Sequence, residues 1–164
     1  LALEALRLGI DVIAVDAYRP PYIPWHLTTV EFFEEIRSHL EPDGVVAINV
    51  GRTSTDRRLV DAMTATLGEV FPSVHAMDVP ATFNTILIAT LQPTSPDNLA
   101  INLIELQNIG ANPLLLDTLD LAVDAQVPAT PSDLVFTDDH APVELLLDSI
   151  VLNFILSGDV EQIR

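Results

Sequence analysis

The chain has 164 residues, of which 49% are hydrophobic and 19% charged, and its 24 acidic residues against seven basic ones give a formal net charge of −17 at pH 7. This length and hydrophobic content predict one folded domain with a buried core and exclude general disorder. A chain this acidic repels nucleic acid and anionic membranes and attracts cations, so we expect neither a nucleic-acid nor a membrane partner. The absence of cysteine excludes disulfides, thiolate metal sites and a cysteine nucleophile, and it is what we expect of a cytoplasmic protein.

The first 91 residues alternate between short apolar runs and amphipathic stretches. Runs of this kind predict buried strands, and amphipathic stretches predict helices. The resulting order is strand, helix, strand, helix, strand, strand, with the last two strands in an antiparallel pair. This order predicts one side of a doubly wound α/β sheet. The predicted strands are 11–16, 45–50, 73–77 and 85–90.

Two helices are predicted between these strands. The first begins at Thr28 or Thr29, with Glu31 as the return partner of a capping box, and ends at Pro42-Asp43-Gly44. The second begins at Thr55 or Asp56 and ends at Phe71-Pro72.

The remainder of the chain is less regular. Prolines interrupt 92–133, where we expect an appended subdomain or dimer arm with short helices at 97–108 and 114–123. An apolar stripe predicts a last helix from Asp139 to about Ser157. The expected division is therefore 1–91 for half of a Rossmann-like domain, 92–133 for the extension, and 134–164 for a C-terminal motif and a helix that packs on the sheet.

Asp16 is the first candidate for chemistry, because it closes a predicted parallel strand. Open α/β sheets bind their ligands at the carboxyl ends of such strands. The proline-rich loop that follows holds Tyr18, Trp25 and His26. Two interpretations stay open, a preorganised site and a strand-end carboxylate that caps a neighbouring loop above packed aromatic side chains.

The same residues resemble the spermidine synthase family, the aminopropyltransferases and their relatives. The resemblance covers roughly residues 8–92 and resumes at about 134. The matching part of the family members is their C-terminal portion. It lies in Asp11-Val-Ile-Ala-Val-Asp16-Ala-Tyr-Arg-Pro-Pro, in Pro42-Asp43-Gly44-Val45-Val46-Ala47-Ile48-Asn49, in Phe71-Pro72-Ser73-Val74, and in the tail Thr137-Asp138-Asp139-His140-Ala141-Pro142.

The resemblance implies a methyltransferase-like Rossmann sheet and the transfer of an aminopropyl group to a small-molecule amine such as putrescine. The donor is decarboxylated S-adenosylmethionine, a co-substrate, and no permanently bound cofactor is expected. Asp16 stands where the family has its catalytic acid, so Tyr18, Trp25 and His26 are expected to shape the acceptor pocket. If the tail folds back to the ligand edge of the sheet, Asp138 and Asp139 are expected to line that pocket.

The sequence departs from the family in two places. Arg19 stands where members usually have a second, polyamine-binding acid, and no glycine-rich donor loop occurs anywhere in the chain. Because the chain begins at Leu1, we expect a partial or processed chain that forms a homo-oligomer or associates with a missing N-terminal half. A non-catalytic dimerisation or interaction module, or another S-adenosylmethionine-dependent transferase, are the alternatives.

The tail also allows a metal-site interpretation, which we consider weaker. His140 and Glu144 would share one helical face beside two aspartates, but helix capping by Asp138 or Asp139 is the simpler interpretation. No bound metal is therefore expected.

Overall fold

The computed structural model of the chain describes residues 9–17 and 23–157. Over these ranges it is a mixed α/β structure with one five-stranded sheet. The elements in chain order are β1 (Ile10–Val15), a 3₁₀ turn (Trp25–Leu27), α1 (Val30–His39), β2 (Leu40–Gly51), α2 (Arg58–Gly68), β3 (Ser73–Asp78), β4 (Asn84–Thr90), α3 (Asp97–Asn108), α4 (Pro113–Asp124), β5 (Gln126–Val127) and α5 (Val143–Ser157).

The strands lie in the order β1-β2-β4-β3-β5. β1 pairs with β2 in parallel, and every other pairing is antiparallel. Strands β1, β2 and β3 consequently run in the same direction and end at one side of the sheet, at Val15, Gly51 and Asp78. We call this side the carboxyl edge. The predicted antiparallel pair at the end of the sheet, β3 with β4, is confirmed.

One face of the sheet carries the core, and the residues of β2 on the other face between 45 and 51 are half-buried. Alternate residues of β2 are buried, which is the pattern of a strand with one covered face. Helices α1, α2 and α5 cover that face. The opposite face presents Ile10 and Val12 of β1, which are 43% and 58% exposed, and α3 lies beside its far end. The largest fully buried side chains are Phe33, Phe136, Ile23, Ile48, Leu59, Met63, Leu67, Leu87, Val46, Val50, Val60 and Val143.

The start of α1 differs from the capping box predicted for it. Thr29 is the N-cap, and its hydroxyl oxygen accepts a hydrogen bond from the Phe32 amide at 3.3 Å. Glu31 was wrong as the return partner: its carboxylate oxygen Oε2 accepts from the backbone amide of Asp138, 107 residues later, at 3.0 Å. A tertiary contact has taken the place of a local one.

The predicted helix ends were also displaced. α1 ends at His39 rather than at Pro42-Asp43-Gly44, and these three residues lie inside β2 beside an irregular register with β1. Gly44 suits that place, because an added Cβ there would lie 2.9 Å from the Glu41 carbonyl oxygen and 3.0 Å from that of Ile10. A side chain would therefore push the two strands apart.

The C-terminal tail joins the two central helices. The Phe136 amide donates to the Thr66 hydroxyl of α2 at 3.0 Å, and the Phe136 carbonyl oxygen accepts from the Val30 amide of α1 at 2.9 Å. The Phe136 ring itself is fully buried. This arrangement fixes the tail against the first turn of α1.

Helices α3 and α4 form a hairpin. The bounds predicted for α3 are confirmed, and α4 is one residue longer at each end than predicted. Gly110 has a φ of +70° in the connecting turn, a conformation that glycine adopts without strain. Asn112 caps α4 by accepting from the Leu114 amide at 2.9 Å. Within the described ranges, no helix is long and apolar enough to cross a membrane.

Candidate functional site at the carboxyl edge

Asp16 lies one residue beyond the end of β1, at the carboxyl edge, and its side chain is exposed. The parallel register pairs Ala14 with Ala47 and Val15 with Ile48, so Asp16 is level with Asn49 of β2. The Asn49 amide nitrogen Nδ2 donates to the Asp16 carboxylate oxygen Oδ1 at 3.2 Å. No hydrogen bond from a described residue reaches the second carboxylate oxygen, Oδ2.

Asn49 is the residue that the sequence analysis missed. It is the one polar side chain in the apolar run 45–50, and that interruption was the available signal. Its amide oxygen Oδ1 is buried and has no hydrogen-bond partner among the described residues. A buried acceptor without a partner costs about 1–3 kcal/mol, and such exceptions in folded proteins require an explanation.

The aromatic residues predicted for the site begin in the loop after Asp16. Trp25 and His26 lie in the 3₁₀ turn, both exposed, and their rings meet edge to face with centroids 5.8 Å apart. Tyr18, like Arg19, lies outside the described residues. The structure therefore shows Trp25 and His26 as an exposed pair beside the start of α1.

The tail residues are held at the same end of the domain. The Thr29 hydroxyl, at the start of α1, donates to the Asp138 carboxylate oxygen Oδ1 at 2.8 Å. Asp138 and Asp139 are both exposed. The helix predicted from Asp139 begins only at Val143, so His140 lies in a turn before it and does not share a helical face with Glu144. Among the described residues, no group of three potential ligands is close enough to bind a metal ion.

A network of ion pairs rigidifies the next part of the edge. Asp78, at the end of β3, pairs with Arg57 at 2.7 Å and with Arg52 at 3.2 Å, and it accepts from the Thr85 hydroxyl at 2.7 Å. Burial raises the pKa of the Asp78 carboxyl, but the hydrogen bonds from Thr85 and Arg57 and the charges of both arginines outweigh it and hold the pKa below its usual value. The Arg52 guanidinium is therefore held by Asp78 and also donates to the Thr85 hydroxyl at 3.2 Å.

Comparison with known proteins first defines the fold class. Human methyltransferase-like protein 13, solved in complex with SAH, matches with a TM-score of 0.50 and 23% sequence identity over 79% of this chain and 55% of that chain. A probable spermidine synthase from Corynebacterium glutamicum ATCC 13032 matches with a TM-score of 0.49 and 25% identity over 75% of this chain and 48% of that chain. The predicted methyltransferase-type α/β fold is confirmed.

Sequence comparison then identifies the family that the chain resembles. A protein named "probable polyamine aminopropyl transferase" from Bifidobacterium longum (strain NCC 2705) is 31% identical over 158 residues, 88% of this chain and 35% of the relative. A polyamine aminopropyltransferase from Vibrio vulnificus (strain CMCP6) is 32% identical over 91 residues, 56% of this chain and 29% of the relative. No family model matches the chain.

These matches confirm the resemblance stated from the sequence: the chain is similar to the C-terminal portion of the spermidine synthase family. It spans about a third of the length of the curated relatives.

Proposed function

We propose that the chain provides the acceptor half of an aminopropyl-transfer site, with Asp16 as its catalytic carboxylate. The observation that carries the proposal is the Asp16–Asn49 pair at the carboxyl edge, where one carboxylate oxygen is held and the other is exposed. The names of the Bifidobacterium and Vibrio relatives support the same reaction class.

The reaction requires a neutral amine. Its nitrogen attacks the propyl carbon next to the sulfonium of decarboxylated S-adenosylmethionine, the C–N bond forms, and the C–S bond breaks. The bonding electrons return to sulfur, so 5′-methylthioadenosine leaves, and the amine loses one proton. In this proposal Asp16 Oδ2 takes that proton or orients the amine, which is the ordinary work of a carboxylate general base.

Asn49 has a positioning role in this proposal. With Nδ2 turned toward Asp16 the pair attracts, whereas the reverse orientation would set the amide oxygen against the carboxylate. The amide therefore holds Oδ1 and presents Oδ2 to the acceptor amine. Trp25, His26 and, outside the described residues, Tyr18 form the proposed walls of the acceptor pocket.

The tail supports acceptor binding in the same scheme. Asp138 and Asp139 are exposed, Asp138 accepts a hydrogen bond from the N-cap residue of α1, and exposed carboxylates attract a diamine by their charge. Putrescine is the proposed acceptor. The donor requires a glycine-rich loop that none of the 164 residues provides, so we propose that the donor half comes from an additional polypeptide segment.

The test is aminopropyl transfer by the chain fused to the N-terminal portion of the Bifidobacterium relative, with decarboxylated S-adenosylmethionine and putrescine. Asp16→Asn is expected to lower turnover by about two orders of magnitude, the usual scale for a general base. Asp11→Asn is the matched control, because it makes the same charge change on β1 and is expected to leave turnover unchanged. Equal turnover in the two variants would remove Asp16 from the role.

A second candidate function, a non-catalytic dimerisation module, has one observation in its favour. β1 is the edge strand of the described sheet and exposes Ile10 and Val12. Unpaired edges of this kind associate with other chains. Sedimentation would show a dimer that Val12→Lys converts to a monomer, while the fused protein would show no transfer activity.

A further inference from the structure

The α3–α4 hairpin leaves most of its apolar surface uncovered. Leu103 is the one buried residue of α3, and α4 has none. A helix this apolar normally lies against another element. The large apolar side chains that the hairpin exposes are Ile101 (51%), Ile104 (58%), Ile109 (77%), Leu114 (75%), Leu115 (45%) and Leu121 (61%).

Acidic residues alternate with these side chains along each helix. On α4, Leu114, Asp117, Leu121 and Asp124 follow one another at spacings of three, four and three residues, so they share one face. On α3, Asp97 precedes Ile101 by one turn, and Glu105 follows it by another. All five acidic residues of 97–124 are exposed, and this segment contains no arginine, lysine or histidine.

We propose that the α3–α4 hairpin is a docking surface for a basic amphipathic helix of another protein. Such a helix would bury its apolar face on the exposed leucines and isoleucines and set its lysines or arginines against the acidic residues, a common mode of helix recognition. The hairpin is outside the carboxyl-edge site, so the proposal does not depend on aminopropyl transfer.

Charge distinguishes this occupant from the alternatives. A second copy of the hairpin would bring five more acidic residues and no basic one to the interface, and like charges in contact oppose association. An anionic membrane surface is disfavoured for the same reason. A partner that combines apolar side chains with positive charge is the one that satisfies both features of the surface.

The test measures fluorescence anisotropy of a labelled helical peptide made of leucine and lysine at amphipathic spacing, titrated with the 164-residue chain. We expect binding that weakens as salt rises from about 0.05 to 0.5 M, because salt screens exposed charges. A leucine–glutamate peptide with the same spacing and a scrambled leucine–lysine peptide are expected not to bind. Equal affinity for the scrambled peptide would show that the net negative charge of the chain alone explains binding, and this would overturn the proposal.

Variants locate the surface. Leu114→Asn combined with Leu121→Asn is expected to weaken binding at least tenfold, since about 1.4 kcal/mol of lost burial corresponds to a factor of ten. Asp117→Asn combined with Asp124→Asn is expected to weaken binding at low salt and to flatten its salt dependence. Both pairs change exposed side chains, so folding is preserved, and circular dichroism checks this.

The matched control is Leu145→Asn combined with Asp148→Asn on α5, where Leu145 is 74% exposed. It is expected to leave the peptide affinity unchanged, and an effect as large as that of the hairpin variants would overturn the proposal. Self-association that Leu114→Asn with Leu121→Asn abolishes would assign the surface to a second copy instead. If the fusion with the Bifidobacterium N-terminal portion does not bind the peptide, the hairpin surface is covered by that portion, and the proposal of a separate partner is overturned.

Discussion

Ala81 allows a sharp test of the turn that closes the carboxyl edge between β3 and β4. It has a φ of +58°, the left-handed region, and the Thr82 amide donates to the Val79 carbonyl oxygen at 3.2 Å. With Pro80 before it, Ala81 occupies the position of a type II turn that favours glycine. A Cβ in this conformation costs about 1–2 kcal/mol.

Ala81→Gly should therefore stabilise the protein. Glycine also stabilises the unfolded state by about 0.4–1 kcal/mol through its greater conformational entropy, and this offsets part of the gain from removing the strained Cβ. The net gain in the free energy of unfolding is about 0.5–1 kcal/mol, and a domain of this size would melt about 1–4 °C higher.

The assay is thermal and urea unfolding, with Ala47→Gly as the control. Ala47 lies in the interior of β2, where the same change costs about 0.5–1 kcal/mol, so the two variants should shift stability in opposite directions. A lower melting temperature for Ala81→Gly would refute the reasoning about the turn.

Three further predictions concern the core and the response to acid. Phe136→Ala should lower the free energy of unfolding by about 3–5 kcal/mol, because the ring is fully buried in the hydrophobic core, and urea titration measures this. Burial lowers the pKa of His75 from 6.5, so only the unfolded state gains its proton as the pH falls just below that value. His75→Gln should consequently reduce the loss of stability between about pH 7 and pH 5. An unchanged slope of the free energy of unfolding against pH would contradict the burial argument. The Asp78 pKa is lowered, so its contribution to stability is complete above its unfolded value of about 3.9 and is lost as the pH falls toward the folded value; Asp78→Asn should make unfolding less dependent on pH there, as followed by circular dichroism.

Local patterns were sufficient to predict most of the regular elements. Strand β4 follows a continuous run of apolar and β-branched residues, and the structure places each boundary of β3 and β4 within one residue of its prediction. The limits of α3 are correct because proline and asparagine punctuate that segment. The order of these elements predicted an α/β sheet, and the methyltransferase type of that sheet was implied by the resemblance to the spermidine synthase family.

The predictions that failed depended on distant partners. Glu31 has the correct local spacing for a capping box, but it binds the Asp138 amide, and no pattern within one helix can reveal a residue 107 positions away. Pro42-Asp43-Gly44 has the composition of a turn, yet it lies inside β2, because Leu40 and Val45 on either side of it both pair with β1.

The candidate site divides in the same way. Asp16 was predicted because its place after a strand is a local feature. Predicting that Asn49 contacts Asp16 would have required the register of β1 against β2, which only the folded sheet provides. Its interruption of an apolar strand was visible, but its partner was not.

The hydrogen bonds that join Phe136 to α1 and α2 have a consequence for folding during synthesis. α1 and α2 precede the tail in the chain, so the hydrogen bonds that join Phe136 to Val30 of α1 and to Thr66 of α2 form only after residue 136 has been synthesised. A chain released or cleaved before that residue would keep these helices partly uncovered and prone to aggregation. Synthesis of the tail through Phe136 therefore lowers the tendency of the nascent domain to aggregate. Chaperone binding during translation should persist until the tail has been synthesised.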